Sequence, residues 1–158
     1  MVDVHTSEAR SRNMRAIRNK DTKPELLIRK ALHARGFRYR LGGAGLSGHP
    51  DIVLPKYKTA IFVHGCFWHG HDCKYFKVPA TRTEFWVDKI RSNQGRDQRS
   101  VSVLLEQGWS VLIVWECSLR PSGVGLEAIL HEIEIVLAQS MSAKTPRSVV
   151  ISGQIPVE

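Results

Sequence analysis

Between His64 and Cys73 the chain reads His64-Gly65-Cys66-Phe67-Trp68-His69-Gly70-His71-Asp72-Cys73, three histidines, two cysteines and an aspartate in ten residues. Zn2+ takes four soft or borderline ligands in a tetrahedron, commonly thiolates with imidazole. Cys66, His71 and Cys73 supply three of them, and Cys117, the only other cysteine, supplies a fourth. That Cys3His set uses every thiol in the chain. The spacing C-x4-H-x-C followed by a distant C is unusual for a finger, so the other reading of the residue types is that Cys117 is a core thiol and the loop holds a looser metal or none.

His64 and His69 are then unspent, and imidazole can move protons near neutral pH. Asp51, in His49-Pro50-Asp51, begins an apolar run. A carboxylate there is costly unless it is exposed at an end or engaged. One use is as a hard oxygen ligand for Mg2+, another is to close the loop turn. Cleaving a phosphodiester needs a cation against developing charge and a base on the attacking water, and Asp51 with His69 meets both needs. Phe67-Trp68 lie between thiol ligands, where they either roof a metal site or form a wedge that a stiffened loop drives between bases.

The elements that must position these residues follow from periodicity. Thr22-Lys23-Pro24-Glu25 is a helix start, with Thr22 to cap and Glu25 to return the bond. Leu27, Ile28, Ala31, Leu32 and Ala34 continue it at helical spacing until Gly36. Phe37, Tyr39 and Leu41 alternate with Arg38 and Arg40 as a half-buried strand, and a Gly-rich loop runs to Pro50. Asp51 to Leu54 and Lys58 to His64 form a hairpin across Pro55-Lys56-Tyr57. Thr83 to Gln107 is helical with a break expected near Asn93 to Gly95, Trp109 to Trp115 is a buried strand, and Leu126 to Ala138 is an amphipathic helix. With a basic helix at Ser7 to Lys20, the order is α, α, β, β, β, α, β, α, a mixed sheet flanked by helices.

At 158 residues the chain suits one domain, placed at 1–140 with a basic arm over about 1–20 and a loosely held tail at 141–158. The net charge is +8, and Met1 to Arg40 holds 11 Lys/Arg against 4 Asp/Glu, while the rest holds 12 against 11. Such a field suits a polyphosphate partner. The apolar runs, Thr59 to Val63 and Val111 to Trp115, are far short of a bilayer span, and Asp3 and Glu8 interrupt any signal peptide. A cytoplasmic protein with no membrane partner is expected, its odd number of thiols arguing for metal over disulfide.

The chain resembles the very-short-patch repair endonuclease family, strand-specific enzymes that nick beside a T:G mismatch left by deamination of 5-methylcytosine. The resemblance rests on Arg12-Asn13-Met14-Arg15-Ala16-Ile17, Pro50-Asp51, His64 to His69, Phe76 to Trp86, Asp97 and Leu112 to Cys117, and extends over roughly Asp3 to Leu119. It implies an α/β, restriction-endonuclease-like core of the PD-(D/E)XK superfamily with a structural zinc site, acting as a monomer on double-stranded DNA at the nucleoid. By the same resemblance, Asp51 and the main-chain carbonyl of Val63 ligate catalytic Mg2+, and His69, oriented by Asp97, is the general base. His64 and Glu25 support the site, and Cys66, His71, Cys73 and Cys117 hold Zn2+. Phe67, Trp68 and Met14 insert at the mismatch while Arg12 and Arg15 meet DNA. The chain departs from the family pattern at Val63, where Thr can stand, and from the superfamily's Glu-x-Lys, where Val63-His64-Gly65 stands. Two alternatives remain at this stage: a zinc-stabilised DNA-binding module without catalysis, and a sequence-specific restriction nuclease on the same fold.

Overall fold

The computed structural model describes Thr6, Glu8, residues 20–142 and residues 145–151. Its elements in chain order are α1 (Lys23–Ala34), β1 (Ile52–Leu54), β2 (Thr59–His64), α2 (Thr83–Glu106), β3 (Ser110–Trp115), α3 (Leu126–Ser142) and β4 (Ser148–Ile151). The basic helix expected at the N-terminus, with Arg12, Met14 and Arg15, falls almost wholly outside the described residues.

One four-stranded sheet, ordered β1-β2-β3-β4, carries the architecture. β1 and β2 form the expected antiparallel hairpin, with Ile52 opposite Ile61. Its connection is a tight turn at Pro55–Tyr57, closed by Lys58 in the left-handed region at φ 45°. β2 to β3 and β3 to β4 are parallel, which requires the crossovers that α2 and α3 provide. Side chains alternate across a strand, so each face of β2 and β3 has its own cover. Ile61, Leu112 and Val114 pack with Ile28 and Leu32 of α1 and Ile129, Leu130, Ile133 and Leu137 of α3. On the other face Ala60, Phe62 and Val111 meet Leu104 of α2. The result is a mixed α/β sandwich of three layers. Both faces being covered, β3 reads as a continuous apolar run.

Four expectations are corrected. Phe37 to Leu41 is not a strand; among the described residues one bridge, Arg40 to Val53, is all that pairs it. α2 is unbroken through Asn93 to Gly95. Thr22 makes no side-chain bond to the helix backbone; its hydroxyl donates to Glu25 Oε1 at 3.2 Å instead. The ordered fold does not end near 140, because α3 runs to Ser142 and residues 148–151 of the expected tail pair in parallel with β3 as β4.

Candidate functional site

The chemistry gathers where the parallel strands end. In the β2–β3 register His64 lies opposite Trp115, so the chain leaving β3 brings Cys117 alongside the loop that leaves β2. Crevices at the carboxyl ends of parallel strands are the usual place for a site in such sheets.

The Cys66, His71, Cys73 and Cys117 ligand atoms lie within 4.8 Å of one another. His71 Nδ1 is 3.6 Å from Cys66 Sγ and 3.5 Å from Cys117 Sγ. A tetrahedral ion with bonds of about 2.3 Å to sulfur and 2.05 Å to nitrogen sets its ligands about 3.6 Å apart, so the donor set fits. Burial pushes the Cys66 thiol well up, with the Cys117 backbone opposing and the side chains of Cys117 and Cys73 adding to it. A cation would reverse that, since a coordinating thiol is deprotonated. Cys66 and Cys117 are buried, and the His71 ring stacks on Trp115 at 4.3 Å.

The loop is held from two sides by residues that the sequence reading did not single out. Glu116 Oε1 accepts the Cys66 N–H at 3.1 Å. From α2, Asn93 Nδ2 donates to the Trp68 carbonyl at 2.8 Å and Gln94 Nε2 to the His69 carbonyl at 3.3 Å. Gly70, at φ +65°, sits so close to Ile90 and Gln94 that a Cβ would lie 2.6 and 2.5 Å from their side chains. The polar face of α2 is therefore the loop's backing, and Asp97, one turn beyond Asn93, belongs to the same face.

His69 Nδ1 meets Asp97 Oδ2 at 2.5 Å. The His64 and His69 rings stack at 3.8 Å with 1° between planes. Burial first, then the neighbouring His69, lowers the His64 pKa to about 4, so His64 is neutral near pH 7.

Asp51 stands just before β1, and its Oδ2 accepts the Val63 N–H at 2.7 Å. The Asp51 carboxyl is pushed up to about 7, chiefly by burial, with Glu25 adding and the Val63 N–H and Arg29 opposing. A half-buried carboxylate beside a second acid is a place that wants positive charge, and its oxygens suit a hard cation. Glu25, almost fully buried, accepts from Asp21 N–H at 2.9 Å and Arg29 Nη2 at 3.0 Å, and Arg29 Nη1 also reaches Asp21 at 2.7 Å. Arg29 carried no mark in the sequence beyond its place one turn after Glu25.

Glu25, Asp51, His64, His69 and Asp97 line one open groove with a volume of about 1380 Å³, together with Phe67 and Trp68. Phe67 and Trp68 meet edge to face at 5.1 Å, and Trp86 buttresses both, at 5.4 and 5.9 Å. Phe76 adds a further ring against Phe67. The pair is thus half-buried on an aromatic base at the groove wall. Among the described residues no helix is long and apolar enough to cross a membrane.

Comparison with known proteins points the same way as the geometry. The family described as DNA mismatch endonuclease Vsr matches residues 2–75. The DNA mismatch endonuclease Vsr of Escherichia coli K12 is 54% identical over 120 residues, covering 76% of this chain and 77% of that protein. The type II nicking enzyme V.XorIIP of Xanthomonas oryzae pv. oryzae is 44% identical over 133 residues, 84% of this chain and 97% of its own length. V.NmeAIP, a type II nicking enzyme of Neisseria meningitidis, is 45% identical over 129 residues, 82% and 92% of the two chains.

Proposed function

The chain belongs to the Vsr family of DNA mismatch endonucleases, hydrolases that nick DNA, and from that premise we propose that it cuts one strand of double-stranded DNA beside a T:G mismatch. In this reading the core is of the PD-(D/E)XK kind, catalysis uses Mg2+ and the thiol cluster holds structural Zn2+. The observation that carries it is the convergence of Asp51, His69 and Asp97 on one groove walled by Phe67 and Trp68. A module that only bound DNA would have no use for a base paired to a carboxylate beside a second, half-buried carboxylate.

Asp51, with the main-chain carbonyl of Val63, would hold Mg2+. When bound, that ion neutralises charge on the cleaved phosphate and acidifies its water. The remaining steps belong to the chain. Asp97 takes the Nδ1–H of His69, which fixes the tautomer and leaves Nε2 to accept the proton of the attacking water. Asp97 then steadies the imidazolium that forms. His64 backs the His69 ring and, with its pKa lowered to about 4, is the weaker base of the two. Glu25, locked by Asp21, Thr22 and Arg29, adds negative charge next to Asp51 and so strengthens its hold on a cation. Since only the backbone of Val63 is used, its lack of a hydroxyl does no harm, and histidine chemistry replaces the superfamily's lysine.

Phe67 and Trp68 insert beside the mismatch from their aromatic base, joined by Met14 of the arm, while Arg12 and Arg15 contribute phosphate contacts. One active site on a monomer cuts one strand, which suits a repair nick in the cytoplasm on chromosomal DNA. A nicking assay on T:G and fully paired duplexes, with Mg2+ or EDTA, tests this. A single-strand cut confined to the T:G duplex with Mg2+ is expected. Equal cutting of paired DNA would transfer the chain to sequence-specific nucleases, and cutting in EDTA would remove the metal from the mechanism.

A further inference from the structure

Along the loop from β2 the donor residues alternate in allegiance. Cys66, His71 and Cys73 turn to Cys117, whereas His64 and His69 turn to Asp97. In this second group each residue offers a ligand atom, all within 4.8 Å of one another. His64 is only 5% exposed, and its Nδ1, shut off from solvent, has no hydrogen-bond partner among the described residues. A buried polar atom left without a partner costs free energy, so something is gained when it finds one. Two imidazoles and one carboxylate, with an open side toward a groove, are the donors of hydrolytic zinc centres and of two-histidine, one-carboxylate iron centres. Mg2+, which favours oxygen and keeps its waters, is poorly matched to them.

We propose that His64, His69 and Asp97 form a second site for a borderline transition ion, Zn2+ foremost, weaker than the thiol site, and that filling it silences the nuclease. The silencing rests on the function proposed above, because an ion bound to His69 takes the base out of use. The binding does not. Ring geometry sets the order of filling. The two imidazoles lie face to face, so their in-plane lone pairs run parallel and one ring must tilt before both reach a single ion. His64 is wedged between Phe62 and Trp115, with centroids at 5.7 and 5.2 Å. His69, with a side chain 25% exposed, is the one free to move, at the cost of its bond to Asp97. The thiol cluster needs no such rearrangement and fills first. It thereby acts as a trap that keeps the first ion off the base beside it.

Co2+ tests the proposal on DNA-free protein whose thiol site already holds Zn2+. Thiolate ligation gives Co2+ intense charge-transfer bands, and nitrogen and oxygen ligation gives weak d–d bands alone. Wild type is expected to take one further Co2+ with only the weak bands. His64→Ala and Asp97→Ala should each weaken that ion by at least the roughly tenfold that losing even an outer-shell partner costs, with the thiol-site Zn2+ retained as the check on folding. Asp51→Asn should leave it in place. In nicking assays Zn2+ beyond one equivalent should inhibit, and raised Mg2+ should not relieve it. Absence of a second ion would overturn the proposal. So would its retention in both His64→Ala and Asp97→Ala, or its loss in Asp51→Asn, which would place it on the Mg2+ carboxylate. Failure to nick T:G DNA without added Zn2+ would defeat the proposed function instead, and the Co2+ titration would still decide the site.

Discussion

Two clusters of ligating side chains share the stretch from His64 to Cys73 and differ in how they are closed. The Cys3His cluster is closed on its inner side, Cys66 and Cys117 being 0% and 3% exposed and Trp115 stacking on His71, while His71 and Cys73 stay half-buried. The His69–Asp97 pair is open, its side chains 25% and 27% exposed toward the groove that also holds Asp51. A closed donor set holds shape and an open one leaves room for water and substrate, which is the general division between structural and catalytic centres. Interleaving them gives His69 a rigid mount, since the loop backbone around it is held by Glu116, Asn93 and Gln94.

The comparison breaks most severely if the closed cluster proves dispensable. Cys117→Ala is expected to lose both zinc and the native fold, because structural zinc in small sites contributes about 10–16 kcal/mol of binding that appears as folding free energy. Zinc content and circular dichroism read this together, and a folded, zinc-free variant would contradict it.

The next effect separates the wedge from the loop that carries it. Replacing Phe67 and Trp68 together with Ala should weaken binding to T:G DNA by a few kcal/mol while leaving the salt-dependent affinity for paired DNA nearly unchanged. Equal loss on both duplexes in a binding titration would point to a damaged loop.

The smallest effect concerns the price in stability of an open site. Asp51 in the fold ionises near 7 rather than at its ordinary 3.8, so the folded state holds this proton more tightly than the unfolded one. Stability is therefore lost as pH rises from about 4 through 7. Metal-free Asp51→Asn should be more stable than wild type at pH 8, by roughly 1–3 kcal/mol. The gap should close toward pH 4, and Mg2+ should narrow it at pH 8. His64 acts oppositely: its depressed pKa means that stability is lost as pH falls from 6.5 toward 4. Thermal melts from pH 4 to 8 check both, and a less stable Asp51→Asn at pH 8 would count against the raised Asp51 carboxyl.

Much of this arrangement was legible because it is local or strictly periodic. The β1–β2 hairpin was marked by two β-rich runs about a proline turn, and the crossover helices by their apolar stripes. The thiol set was legible by composition alone. What escaped depends on partners distant in sequence. Phe37 to Leu41 alternates like a strand, yet its alternation cannot supply a neighbour, and only Arg40 finds one. Gly95 lowers helix propensity by about 1 kcal/mol relative to Ala, which suggested a break. The bonds of Asn93 and Gln94 to loop carbonyls accompany an intact helix there. β4 is four residues long and, among the described residues, pairs only with the far side of β3, a contact no local pattern announces. Arg29 behind Glu25 was invisible for a different reason, because a charged residue on a helix is solvated far more often than buried.

The division of labour in the groove is tested most directly by single-turnover nicking of a T:G duplex with Asp51→Ala and His69→Ala, across pH and Mg2+ concentration. Asp51→Ala should not nick under any of these conditions. His69→Ala should bind metal and DNA, lose roughly 10²–10⁴-fold in rate, and recover in part as pH rises and hydroxide replaces the activated water. His69→Ala matching wild type throughout would move the base to another residue, His64 first, and nicking by Asp51→Ala would contradict the account at its centre.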